Sequence, residues 1–253
     1  MAETKETKTV LITGALSDIG RATARAFARA GYAVAVNHRR DPEAAADFAE
    51  ELVREWGAPK ACAVRADVRH RAEVEALFAE AYRAFGRLDV LVNNAGINRD
   101  RPFLEMSDED WEVVVETILK GTFLCSQEFA RRYTGEDGCI VNIGAVTALK
   151  GRKNGANYCS ARAGVLALTK CLALELAPRI RVNAVTPGRI ETAELRARYG
   201  LDDEGNRARL TQDIPLGRFG EPAEVAEMIL YLANSGRYIT GQNFFVDGGL
   251  FMR

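Results

Sequence analysis

Short apolar runs of strand length alternate along the chain with longer segments in which apolar residues recur every three or four positions. Residues 9–13 (TVLIT) form the first run, and a helical pattern over 19–30 follows, closed by Gly31. Residues 33–37 predict a second strand. Residues 43–56 predict an amphipathic helix with Ala46, Phe48, Ala49, Leu52 and Val53 on one side, ended by Gly57 and Pro59. A strand at 60–64, a helix at 73–85 and a buried-type strand at 88–92 (LDVLV) continue the alternation.

Ser107 before DEDWEVVV is an N-cap signal for a helix reaching residue 131. Strands at 139–143, 181–185 and 243–246 and helices at 156–177 and 221–234 complete the pattern, with Pro222 in a first-turn position. Residues 189–220 are charged and aperiodic, and an irregular loop covering a site is expected there. This order predicts an α/β fold, a single Rossmann-type doubly wound parallel sheet with helices on both faces. No repeat, low-complexity stretch or linker divides the chain, so residues 1–253 are expected to form one domain. Ligands of such sheets bind beyond the carboxyl ends of the strands, which singles out the residues after strands one, two, four, five and six.

Composition narrows the function. Lys+Arg 34 against Asp+Glu 35 gives a formal net charge of -1, a poor footprint for tracking a phosphate backbone, so no nucleic-acid partner is expected. No segment has the roughly 20 apolar residues of a membrane span, and the start MAETKETK is polar, so a cytoplasmic protein without a membrane partner is expected. Five scattered cysteines without a CxxC pair and two isolated histidines suggest neither a disulfide framework nor a metal site.

The first strand runs into Thr13-Gly14-Ala15-Leu16-Ser17-Asp18-Ile19-Gly20. A turn into a helix N-terminus suits pyrophosphate, because free backbone amides and the helix dipole both favour an anion. A plain strand-to-helix turn capped by Asp18 explains the same residues. At the tip of strand two, Asn37-His38-Arg39-Arg40 contains no carboxylate. An acidic residue there would chelate the ribose hydroxyls of NAD, whereas Arg39 and Arg40 suit the 2′-phosphate of NADP, and NADP is the expected cofactor.

The chain resembles the short-chain dehydrogenase/reductase family along nearly its whole length. The first turn is similar to TGxxxGxG, Asp67-Val68 to the family's adenine-contacting pair, and Asn93-Asn94-Ala95-Gly96 to its NNAG. Tyr158 falls in the YxxxK position, Pro187-Gly188-Arg189-Ile190-Glu191-Thr192 matches PGxxxT, and Val246-Asp247-Gly248-Gly249 matches VDGG. Two longer phrases, NNAGINRDRPFLEMSDEDWE and RFGEPAEVAEMILYLAN, resemble the 3-oxoacyl-acyl-carrier-protein reductase branch of that family. The resemblance implies that Ile190 and Thr192 hold the nicotinamide carboxamide. It also implies a substrate that is a small molecule or is bound to an acyl carrier, and a homotetramer assembled through the long helix and the one before it. The run AGVLALTKCLALELA at 163–177, apolar around most of its circumference, agrees with the last.

The departures bear on chemistry. The family's middle glycine is Asp18, expected here to cap the helix and point away from phosphate. Of the family's catalytic set, the tyrosine is Tyr158, but the serine falls on Ala145, the lysine on Arg162 and the asparagine on Ile118. Reduction of a ketone leaves an alkoxide to be stabilised and protonated, and Ala145 has nothing to donate. Arg162 keeps a charge that can hold ribose, but a guanidinium does not release protons near neutral pH. Ile118 interrupts the proton relay. Three readings follow: a slow or altered NADP-dependent oxidoreductase, a catalytically silent dinucleotide-binding subunit with a structural or regulatory role, or non-redox chemistry in the same pocket.

Overall fold

The computed structural model describes residues 7–252; most of the polar N-terminal stretch, residues 1–6, lies outside them. Seven parallel strands form one sheet in the order β3-β2-β1-β4-β5-β6-β7. They are β1 (Thr9–Ile12), β2 (Ala33–His38), β3 (Ala61–Arg65), β4 (Val90–Asn93), β5 (Gly138–Ile143), β6 (Ile180–Pro187) and β7 (Asn243–Val246). Each of these apolar runs pairs within one or two residues of its expected place. β1 is central, with Val10 opposite both Val34 and Val90, and every residue of β1, β2, β4, β5 and β6 is buried. Such strands read as continuous apolar runs because helices cover both faces.

One face is covered by α1 (Asp18–Arg29), α2 (Pro42–Arg54) and α10 (Pro222–Asn234), whose Phe27, Phe48 and Ile229 pack on Val10, Val34 and Val185. The other is covered by α3 (Arg71–Phe85), α5 (Gly121–Arg132) and α7 (Ala156–Leu176), whose Phe78, Phe129 and Ala173 pack on Leu11, Leu91 and Ile140. Strand order reverses between β1 and β4, and the crevice that opens there is the ligand site of doubly wound sheets. Among the described residues no helix is long and apolar enough to cross a membrane.

Three expectations need correction. Asp18 does not cap α1. Ser17 has the extended backbone of a cap and its Oγ accepts the Gly20 amide at 3.2 Å, while Asp18 is already helical.

The helix expected from Ser107 to residue 131 does start at Ser107, whose Oγ accepts the Asp110 amide. It is not uniform, however: α4 (Asp108–Val115) passes through a π-helical turn, Glu116–Lys120, into α5. The hydroxyls of Thr117 and Thr122 donate back to the carbonyls of Val113 (2.7 Å) and Ile118 (2.6 Å), contacts that bend and loosen an α-helical ladder.

The stretch 189–220 is not irregular. It contains α8 (Ala193–Tyr199) and α9 (Glu204–Thr211), started by Thr192 and Asp203, whose side chains accept the Leu195 and Asn206 amides. Their periodicity is hidden because only Leu195, Tyr199 and Leu210 are needed to pack on Leu201, Ile214 and Phe219. A further short helix, α6 (Thr147–Lys150), follows β5.

Candidate active site

A cavity of about 790 Å³ opens at the carboxyl ends of β1, β2, β4, β5 and β6, and α8 forms part of its wall. At one end Gly14, Ser17, Asp18 and Ile19 line it. Gly14 takes a left-handed φ of 59°, and a Cβ there would meet Ala95 Cα at 2.9 Å; a Cβ at Gly20 would lie 2.6 Å from the Gly14 carbonyl. The glycines thus let the turn close onto the helix start. Asn94 fixes it, its Nδ2 donating to the carbonyls of Thr13 and Gly14 and to Ser17 Oγ. Thr13 is buried behind this wall, its Oγ1 accepting the amides of Asn94 and Ala95. Thr13, Gly20 and Ala95 therefore shape the turn without lining the cavity, whereas Asn94 and Gly96 do line it.

Beyond the tip of β2, Arg39 and Arg40 line the cavity. Arg39 lies 3.8 Å from Asp67, and burial together with Arg40 pulls its guanidinium below its ordinary value. Asp67 does not line the cavity. Burial opposes its charged form, but the Arg69 guanidinium, bonded at 2.7–3.1 Å, holds the carboxyl below the usual range. Val68 is buried against α5, where a Cβ on Gly121 would lie 2.7 Å from its Cγ2.

At the other end Pro187, Gly188, Ile190 and Thr192 line the wall. A Cβ on Gly188 would meet Asp247 at 2.6 Å, and the Asp247 carboxylate accepts the amides of Gly249 and Phe251, so the last strand end is what shapes the Pro-Gly turn. Thr192 Oγ1 accepts from the Leu195 amide and keeps its own proton to donate.

Tyr158 projects from the first turn of α7. Its hydroxyl makes no hydrogen bond among the described residues, and two guanidiniums flank its ring, Arg152 at 4.8 Å and Arg162 at 5.4 Å from the centroid. Arg162 is only 5% exposed; its Nη1 donates to the Ile143 carbonyl at 2.6 Å and its Nη2 lies 2.5 Å from where a Cβ on Gly96 would sit. Ala145 is in the wall as an apolar surface. Ile118 is not in the wall. It is fully buried with Val114, Ala161 and Val165, and Tyr158 packs against that group.

Sequence reasoning passed over several residues that the fold brings here. Asn157, fully buried, donates to the carbonyls of Arg99 and Asp110 and accepts the Tyr158 amide, so it sets where Tyr158 stands. Arg152 donates to Asn98 (3.0 Å) and Asp100 (2.6 Å), and Asp100 also pairs with Arg198 of α8 at 3.1 Å. The signal available was the basic, glycine-punctuated run KGRKNGANY before the tyrosine. Among the described residues no group of three His, Cys, Asp or Glu stands together to hold a metal ion.

Fold, motifs and site together define an oxidoreductase of the short-chain dehydrogenase/reductase family, and the chain belongs to that family. A family model described as Enoyl-(Acyl carrier protein) reductase matches residues 14–251. The chain is 42% identical over 251 residues to the 3-oxoacyl-acyl-carrier-protein reductase FabG of Staphylococcus aureus, covering 98% of this chain and 100% of that protein. A Synechocystis 3-oxoacyl-acyl-carrier-protein reductase is 42% identical over 246 residues, 96% of each chain. Among solved structures, a Brucella melitensis protein titled short-chain dehydrogenase/reductase SDR:Glucose/ribitol dehydrogenase superposes with a TM-score of 0.88 at 30% identity, over 98% of this chain and 99% of that one.

Proposed function

We propose that this chain is an NADP(H)-dependent oxidoreductase that interconverts a carbonyl and a hydroxyl group slowly, with Tyr158 as the proton donor. The observation that carries this reading is the Tyr158 hydroxyl, unbonded among the described residues, in a cavity that Ile190 and Thr192 also line. The residues present fit a nicotinamide dinucleotide: a glycine-built turn at a helix start for pyrophosphate, two arginines for a 2′-phosphate, and Arg162 within the wall for ribose hydroxyls. When bound, that cofactor supplies or accepts a hydride. Tyr158 gives its proton to the carbonyl oxygen as the carbon is reduced, and the Thr192 hydroxyl and Ile190 amide orient the carboxamide.

Ala145 and Ile118 set the expected rate. Loss of an oxyanion donor typically costs about 10²- to 10³-fold and loss of an acid/base group about 10²- to 10⁴-fold. The relatives' names point to a 3-oxoacyl group on an acyl carrier as the substrate, with a small-molecule ketone as the other option. Exposed Phe103, Leu104 and Leu174 support a homotetramer, and five unpaired thiols suit the cytoplasm. NADPH fluorescence on mixing, then its absorbance with 3-oxoacyl thioesters, tests the reading; consumption of NADPH supports it.

A second reading, a silent dinucleotide-binding subunit, is favoured by one observation: Ile118 is sealed in an apolar cluster that offers a relay group no partner. Binding of NADPH without turnover on any carbonyl selects it.

A further inference from the structure

The wall around Tyr158 carries more positive charge than the proposed chemistry uses. Arg162 is 95% out of solvent, yet its only hydrogen bond is to a backbone carbonyl, its Nε has no partner, and no carboxylate pairs with it among the described residues. A buried cation without a counter-charge is costly unless a ligand supplies one.

Arg152 stands against the same ring, its guanidinium 4.8 Å from the centroid. Its Nη2 is committed to Asn98 and Asp100, its Nε is buried without a partner where a Cβ on Gly155 would lie 2.8 Å away, and its Nη1 has no acceptor among the described residues. The loop that presents it is held by its backbone: Gly151 and Asn154 both take positive φ values, 76° and 64°, and the Asn154 carbonyl accepts the Arg101 amide. Asp100 cannot neutralise Arg152 alone, because Arg198 shares it. Lys150 adds a further exposed charge on the cavity wall. Four cations of the cavity lining (Lys150, Arg152, Arg162, Arg198) are thus matched by only two paired carboxylates, Asp100 and Glu194, a surplus of two. On the reading above, the cofactor's charges fall elsewhere, on Arg39, Arg40 and the start of α1, and the ribose beside Arg162 is neutral.

We propose that the substrate is an oxo acid, with a free carboxylate near its reacting carbonyl, and that Arg152 holds that carboxylate beside Tyr158 while the unpaired charge of Arg162, which keeps the ribose, favours it through space. The proposal rests on Tyr158 marking the reaction centre. A planar guanidinium with two free N–H groups matches a carboxylate in a way that a neutral thioester cannot exploit. Bound NADPH would supply the hydride and be left as NADP+; the carbonyl carbon would gain that hydride as its C–O π bond breaks, Tyr158 would give its proton to the oxygen and regain one from water, and the carboxylate would be unchanged.

The test uses 2-, 3- and 4-oxohexanoate against their methyl esters on the NADPH-loaded protein, reading both the change in bound-NADPH fluorescence and the loss of NADPH absorbance. The expected result is that at least one acid binds about tenfold or more tightly than its ester, the ratio that one charge-assisted hydrogen bond supplies, and that the advantage shrinks with added salt. A folded Arg152→Gln loses the advantage. Esters that bind as well as the acids in the unmodified protein overturn the proposal without any variant, and so does an acid preference that survives Arg152→Gln. If an acid binds selectively and no NADPH is consumed, the carboxylate site stands and the reductase reading falls. If an ester is reduced and no acid is preferred, the reverse holds.

Discussion

The carboxylate of Asp18, in the first turn of α1, accepts the backbone amide of Ala193, in the first turn of α8, at 2.7 Å. The residue standing in the family's middle glycine position thus ties the cofactor-side helix to the wall over the active site.

This contact places a negative charge where a pyrophosphate is expected. Asp18→Gly is expected to raise NADPH affinity severalfold, more at low salt than at high, and to speed amide hydrogen exchange across 193–199. Fluorescence titration and exchange mass spectrometry measure the two effects. Weaker NADPH binding in the variant would mean that the clasp assists the cofactor.

Arg39 and Arg40 decide the cofactor. NADPH is expected to bind more tightly than NADH, and alanine at both positions is expected to remove most of the difference, since hydrogen bonds to charged groups contribute about 1.5–3 kcal/mol each. Arg40 has no ion-pair partner among the described residues, while Arg39 lies beside Asp67, so the Arg40→Ala share is expected to be the larger. Equal affinity for the two cofactors in the unmodified protein is the contrary outcome.

The missing catalytic groups are not equally restorable. Ala145→Ser together with Arg162→Lys is expected to raise NADPH-dependent ketone reduction by about 10²-fold or more, because both positions line the cavity. Ile118→Asn is expected to lower stability by roughly 1–3 kcal/mol, since its amide would be buried among Val114, Ala161 and Val165. Thermal melting and initial rates on 3-oxoacyl thioesters check the pair of outcomes.

Glu224 gives an acid-side prediction. Its bonds to Arg218 and to the Glu221 amide pull its pKa from the ordinary 4.5 to about 2. A folded-state value below the unfolded one stabilises above about 4.5, and that contribution is lost as pH falls toward 2. Glu224→Gln is expected to flatten this limb of a denaturation-against-pH curve, modestly, because the pair is exposed.

Leu174, 84% exposed on α7, tests assembly. Light scattering at micromolar concentration is expected to give a tetrameric mass, and Leu174→Glu to reduce it.

The alternation of strands and helices and the glycine-bearing turns were legible in the sequence because they follow from short-range rules: period, caps and the steric freedom of single glycines. The sequence likewise located Ala145, Arg162 and Ile118 as departures, since a motif fixes positions in the chain. Only the tertiary structure decided what those departures do. Ile118 turns into an apolar cluster instead of the cavity, and Arg162 is buried without a counter-charge, because burial depends on which helices pack together. The Asp18–Ala193 contact joins residues 175 apart, and Arg152, Asp100 and Arg198 meet from three separate segments. Charged side chains that find distant partners leave no periodic trace, which is why 189–220 read as a loop although it contains two helices and part of the wall of the site.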